Sequence, residues 1–222
     1  MNLASYLDST NLRPEAAEKD IRALCREAAL YNLAAVCVLP YRVGLAARLL
    51  EGSPVKTCTV IGFPLGADGL ATKLYAATQA LGEGADEIDM VINIGALKDR
   101  DLSTVIWEID SITSLKDRYS FVLKVIVETA LLNPQELAEI TVLLGECGVD
   151  YIKTSTGMSA RGVSLKDIEI INQHRPKHLK IKASGGIREL DFALQLLEAG
   201  VERLGTSSAA KLMEDYQIRG GR

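Results

Sequence analysis

Short apolar runs rich in β-branched residues alternate with longer amphipathic stretches along the chain. The runs Ala34–Leu39, Thr57–Phe63, Glu87–Asn93, Phe121–Glu128, Tyr151–Ser155, Lys180–Ser184 and Arg203–Thr206 read as strands, and a further strand is expected near Tyr6–Asn11, where the signal is weakest. Helical spacing of apolar positions predicts helices over Pro14–Tyr31, Leu70–Glu83, Leu102–Lys116, Pro134–Cys147, Leu165–Gln173 and Glu189–Glu198. Asn133 before Pro134 has the chemistry of a helix start, and Gly148 and Gly200 sit where helix ends favour glycine. Strict strand–helix alternation with nearly continuous apolar strands predicts a parallel sheet covered by helices. Eight such units in 222 residues predict an α/β fold, a single (β/α)8 barrel over residues 1–222, with a doubly wound open sheet as the competitor. Neither G-x-G-x-x-G nor G-x-x-x-x-G-K-[ST] follows the first strands, which removes the usual nucleotide sites. The tail Gln217–Arg222 is expected to fray.

The residues that interrupt the strands carry the chemistry. Side chains alternate between faces, so Glu87, Asp89, Val91 and Asn93 share one side while Ile88, Met90 and Ile92 share the other. If the apolar set packs on helices, Asp89 points into the barrel. The same alternation sends Lys124 inward with Ile126 and Glu128, Lys153 inward with Tyr151 and Ser155, and Lys182 inward with Lys180 and Ser184. Burying an unpaired charge costs several kcal/mol, so these groups must neutralise one another or shift their ionisation. One outcome is a purely structural network in which Asp89 and Glu128 offset the lysines. The other is chemical: neighbouring lysines repel in a poorly solvated core, which lowers the pKa of one of them and makes it a nucleophile for carbonyl carbon.

Composition narrows the remaining classes. A formal charge of −4 leaves no basic footprint for nucleic acid or an anionic membrane surface, and no apolar run approaches the length of a membrane helix. The first residues lack the basic start and apolar stretch of a secretion signal, so a cytoplasmic location is expected. Cys25, Cys37, Cys58 and Cys147 are scattered without a C-x-x-C pair and read as reduced thiols. His174 and His178 flank Pro176 in a polar connector and read as solvated loop residues, so no metal site is expected.

A candidate anion site lies at the strand ends. Ser184-Gly185-Gly186-Ile187-Arg188 follows one strand, and Gly205-Thr206-Ser207-Ser208 ends the next and opens a short helix. Glycines let backbone N–H groups approach an anion, a helix N-terminus adds positive potential, and loops after the seventh and eighth strands are this fold's recurrent phosphate site. Thr156-Gly157 offers a further donor.

These segments resemble one family throughout. Ala85-Asp86-Glu87-Ile88-Asp89, Leu123-Lys124-Val125-Ile126-Val127-Glu128-Thr129, Tyr151-Ile152-Lys153-Thr154-Ser155-Thr156-Gly157, Lys182-Ala183-Ser184-Gly185-Gly186-Ile187-Arg188 and Gly205-Thr206-Ser207-Ser208 are similar to deoxyribose-phosphate aldolases, as are Val36-Cys37-Val38 and Val60-Ile61-Gly62-Phe63-Pro64-Leu65-Gly66. The resemblance implies a class I aldolase, without cofactor or metal, that cleaves 2-deoxy-D-ribose 5-phosphate to D-glyceraldehyde 3-phosphate and acetaldehyde. It implies that Lys153 forms the imine, Lys182 assists, Asp89 moves protons and Lys124 supports Asp89. Its partners would be phosphosugar and aldehyde substrates, and its assembly a homo-oligomer, a dimer or tetramer. Ser9, Asn11 and Leu39 depart from the family pattern, where histidine, leucine and tyrosine are common, and bear on substrate preference. The alternatives are a related Schiff-base aldolase with another phosphorylated substrate, a non-catalytic phosphosugar-binding barrel, and an isomerase using Glu128 as base.

Overall fold

A computed structural model describes residues 2–221. Its strands are β1 (Leu7–Asn11), β2 (Ala35–Val38), β3 (Lys56–Ile61), β4 (Glu87–Val91), β5 (Val122–Ile126), β6 (Tyr151–Lys153), β7 (Lys180–Ser184) and β8 (Arg203–Thr206). They lie in chain order around a closed parallel barrel, with β8 pairing back onto β1. The open doubly wound sheet is thereby ruled out. Several strands stop short of their apolar runs: β4 ends before Ile92, β5 before Val127 and β6 before Thr154. Those extra residues stay buried and continue into the loops at the C-terminal mouth.

The helices are α1 (Glu18–Tyr31), α2 (Val43–Leu49), α3 (Leu70–Gly82), α4 (Ile94–Lys98), α5 (Leu102–Thr113), α6 (Pro134–Glu146), α7 (Leu165–His174), α8 (Leu190–Glu198) and α9 (Ala209–Ile218). The first starts at Glu18 rather than at Pro14, because the Asp20 carboxylate accepts the Ala17 N–H at 2.8 Å and sets the N-terminus there. The expected Asn133 cap is present, its side chain accepting the Glu136 N–H at 2.9 Å. Short α2 and α4 carry too few turns to show a period. The tail is more ordered than expected, since α9 runs through Gln217 and Ile218 and buries Ala209, Leu212 and Met213; Arg222 lies outside the described residues. His174 ends α7 instead of lying in the connector, while His178 is in it; both are exposed.

Two apolar clusters lie on opposite sides of the barrel wall. The larger joins outward strand residues such as Val36, Ile88, Leu123, Ile152 and Ile181 to the inner faces of the helices. The smaller, of Leu12, Ala35, Cys37, Cys58 and Val60, fills the interior beside β1 to β3. Charged side chains fill the β4 to β8 side, as strand alternation predicts. The cysteines are all free thiols. Among the described residues, no helix is long and apolar enough to cross a membrane.

Candidate active site

Strand register assembles the interior charges. Asp89 on β4 lies opposite Lys124 on β5, Lys153 on β6 opposite Lys182 on β7, and Lys182 opposite Arg203 on β8. Residues paired across parallel strands point to the same face, so all of these side chains enter the barrel interior, with Lys153 two residues further along its strand than the Tyr151 paired to Lys124. Asp89, fully buried, is the hub. Its Oδ2 accepts from both Lys153 Nζ and Lys182 Nζ at 2.7 Å, and its Oδ1 accepts from Lys124 Nζ at 2.9 Å. The Cys58 Sγ lies 3.2 Å from the same Oδ1.

Beneath this hub the network continues through residues the sequence reading assigned no part in the site. Asp8 on β1 sits 2.5 Å from Lys182 Nζ, and Arg203 Nη1 donates to Asp8 Oδ1 at 2.7 Å. Glu87 takes Lys124 Nζ at 2.5 Å and lies 3.3 Å from Arg203. Alternation had already put Glu87 on the inner face. The signal for Asp8 was a lone acid in the least apolar strand; that for Arg203 was a cation at a strand start, where solvent was the simpler reading.

The electrostatics keep Lys182 and Lys124 charged. Burial opposes charge on Lys182, but the carboxylates of Asp8 and Asp89 outweigh it and hold its pKa above the ordinary value. Burial likewise opposes charge on Lys124, and Asp89 outweighs it, well above the usual lysine range. Repulsion by a neighbouring lysine therefore does not neutralise Lys182. Asp89, despite burial, is held well below the carboxylate range by Lys124, Lys153 and Lys182. For Asp8 burial is again opposed, here by Lys182 and Arg203, and the result is about 2. A carboxyl with a depressed folded pKa stabilises the fold above its unfolded value near 4, and loses that stabilisation as pH falls toward the folded one. The barrel is therefore expected to lose roughly 2 kcal/mol from Asp8 alone between about pH 4 and about pH 2. Urea unfolding at stepped pH checks this; a stability flat across that window would contradict it.

Glu128 does not join the lysines, contrary to expectation. In the left-handed region at φ 55°, it turns its carboxylate to Thr156, accepting the backbone N–H at 3.1 Å and the hydroxyl in a short contact. That corrects the reading of Thr156 as an anion donor, because both of its donors are spent on Glu128. Glu128 is also poorly placed as an isomerase base, being buried and committed to this turn.

A cavity of about 470 Å³ opens at the C-terminal mouth. Lys153, only 3% exposed, lies at its wall. Gly157, Gly185, Gly186, Arg188, Gly205 and Ser207 line it with Thr156, together with Thr10, Asn11, Leu12 and Met158. Ser208 does not line it; its N–H is bonded to Thr206 Oγ1 at 2.9 Å, and it precedes α9. Gly185 has φ +83°, and a Cβ there would stand 2.8 Å from Gly162 Cα, so only glycine lets the two loops touch. Cys37, Cys58 and Asp89 bring possible metal-ligand atoms within 4.8 Å of one another. The three ammonium groups on Asp89 make that spot repulsive to a cation.

Comparison with known proteins agrees with this geometry. The family model described as DeoC/LacD family aldolase matches residues 4–217. Deoxyribose-phosphate aldolase 1 of Bacillus licheniformis is 45% identical over 220 residues, covering 96% of this chain and 98% of its own. The deoxyribose-phosphate aldolase of Thermococcus kodakarensis is 44% identical, covering 96% of each. The tetrameric deoxyribose phosphate aldolase of Aeropyrum pernix superposes with a TM-score of 0.90 at 36% identity, covering 97% of this chain and 91% of its own. With matches of this extent in sequence and in fold, the chain belongs to the DeoC/LacD family of aldolases.

Proposed function

We propose that this chain, acting as one barrel domain, is a class I deoxyribose-phosphate aldolase whose imine forms on Lys153. The observation that carries the reading is the Lys153 amine at the wall of a cavity that also carries the glycine loops after β7 and β8. A phosphate on those loops puts the carbonyl end of a short sugar phosphate within reach of the amine. Gly157, Gly185, Gly186, Gly205 and Ser207 are the donors proposed for it, with Arg188 adding charge at the rim.

The unprotonated Lys153 amine adds to C1 of 2-deoxyribose 5-phosphate, and loss of water gives the protonated imine. The C3 hydroxyl then gives up its proton and the C2–C3 bond breaks. Glyceraldehyde 3-phosphate leaves, and the bonding electrons pass into an enamine. Protonation at C2 and hydrolysis release acetaldehyde and return the amine. Asp89, within hydrogen-bond reach of Lys153 and Lys182, is the group proposed to move protons; Lys182 and Lys124 keep it ionised. The imine itself is the electron sink, so the chemistry calls for no metal or cofactor. The reading extends to a homo-oligomer, dimer or tetramer, in the cytoplasm.

Borohydride trapping with deoxyribose 5-phosphate, followed by peptide mass spectrometry, tests it. A reduced adduct on Lys153 is expected, and no adduct on any lysine would overturn the assignment. A second prediction separates the two ends of the cavity. Gly185→Ala pushes a methyl group against Gly162 and is expected to raise KM for deoxyribose 5-phosphate at least about tenfold. Cleavage of unphosphorylated deoxyribose should change far less; equal losses on both substrates would argue against an anion site there.

A further inference from the structure

The geometry points to Arg203, with Glu87, as the residue that sets the pH at which the reactive amine becomes free, acting from the N-terminal end of the barrel without touching substrate. The inference rests on the proposed imine at Lys153. The connected network of ion pairs contains the cations Lys124, Lys153, Lys182 and Arg203 and the carboxylates Asp8, Glu87 and Asp89. Fully ionised, it carries one surplus positive charge in a core from which water is excluded. Loss of one proton makes it neutral.

The contacts decide which cation carries the surplus. Arg203 cannot release a proton and faces two carboxylates, Asp8 from β1 and Glu87 from β4. Lys182 has Asp8 and Asp89, and Lys124 has Glu87 and Asp89. Lys153 has Asp89 alone, on an oxygen that Lys182 also occupies. It is the least held of the four and the one at the cavity. The remaining titratable neighbours lie outside this set of ion pairs: Cys58 on β3, 3.5 Å from Lys124 Nζ, and Cys37 on β2 are buried thiols, the buried Glu128 carboxylate after β5 is taken up by Thr156, and the Tyr151 ring on β6 lies 5.7 Å from Arg203 and 5.5 Å from Lys180. Arg203 thus supplies a permanent charge that keeps Asp8 and Glu87 satisfied and leaves the mouth one proton too rich. It is a positioning residue for charge.

The test is the pH dependence of Lys153 adduct formation with acetaldehyde under cyanoborohydride, read by peptide mass spectrometry. Arg203→Met balances the network with every lysine protonated, so its acid limb is expected to move to higher pH. One charge acting over about 10 Å at an effective dielectric of about 20 gives a shift of about one pH unit. Glu87→Gln raises the surplus to two and moves the limb to lower pH. The double variant Arg203→Met/Glu87→Gln restores a surplus of one and should return the wild-type curve, as should Arg203→Lys. A curve for Arg203→Met or Glu87→Gln that overlies wild type overturns the proposal. So does a double variant that behaves like Arg203→Met. If Arg203→Met does not fold, Glu87→Gln decides alone. No adduct on Lys153 in the wild type at any pH would sink the imine reading itself, a result distinct from the others.

Discussion

Replacing Lys153 by alanine is expected to abolish turnover of deoxyribose 5-phosphate, by a factor of about 10⁴ or more in kcat, with no reduced adduct on the protein. The variant is unusually clean. It removes one of three ammonium groups around Asp89 and leaves the network of ion pairs with as many cations as carboxylates, so the core is not left with an uncompensated charge. Lys153 is also the cation at the cavity wall, and the small void left by its stem opens toward solvent. Folding should therefore survive, and a matching circular dichroism spectrum with near-native Tm would separate lost chemistry from lost structure. Adduct formation on Lys182 at the wild-type rate would exchange the roles of the two lysines.

Asp89→Asn is expected to do damage of both kinds. The amide cannot balance Lys124, Lys153 and Lys182, whose ammonium groups all reach the carboxylate within 2.9 Å. Breaking a buried ion pair by removing one partner costs about 3–5 kcal/mol, so a fall in Tm of many degrees is expected at neutral pH. The sign of the pH dependence identifies the cause. With the hub gone, the folded core holds surplus protons less tightly than the unfolded chain, so stability rises with pH as one ammonium sheds its proton. The gap to wild type should narrow between about pH 6 and about pH 9. A constant gap would mean that the amide fails for reasons of packing. In activity, loss of a proton-transfer group costs about 10²–10⁴ in kcat, while imine trapping at raised pH should persist.

Strand alternation alone put Asp89, Lys124, Lys153 and Lys182 on one face, because the period of two is a property of the extended backbone and tolerates no drift over five residues. The same rule put Glu128 on that face and was misleading there. β5 ends at Ile126, and the left-handed turn at Glu128 breaks the alternation before its carboxylate can reach the lysines. Thr156 fell for the same reason. A donor at a strand end looks free in sequence, and only the folded chain reveals that Glu128 has claimed it.

Local periodicity and residue type were enough to predict the eight alternating units, the inward lysines and the glycine loops at the mouth. Which charges meet was settled only when the barrel closed. Asp8 and Arg203 lie 195 residues apart in the chain and become partners only because β8 closes onto β1. Lys182 remains charged because Asp8 reaches it across that seam. Ionisation in a buried cluster depends on distances of a few ångströms between strands remote in sequence, and barrel closure is what sets those distances.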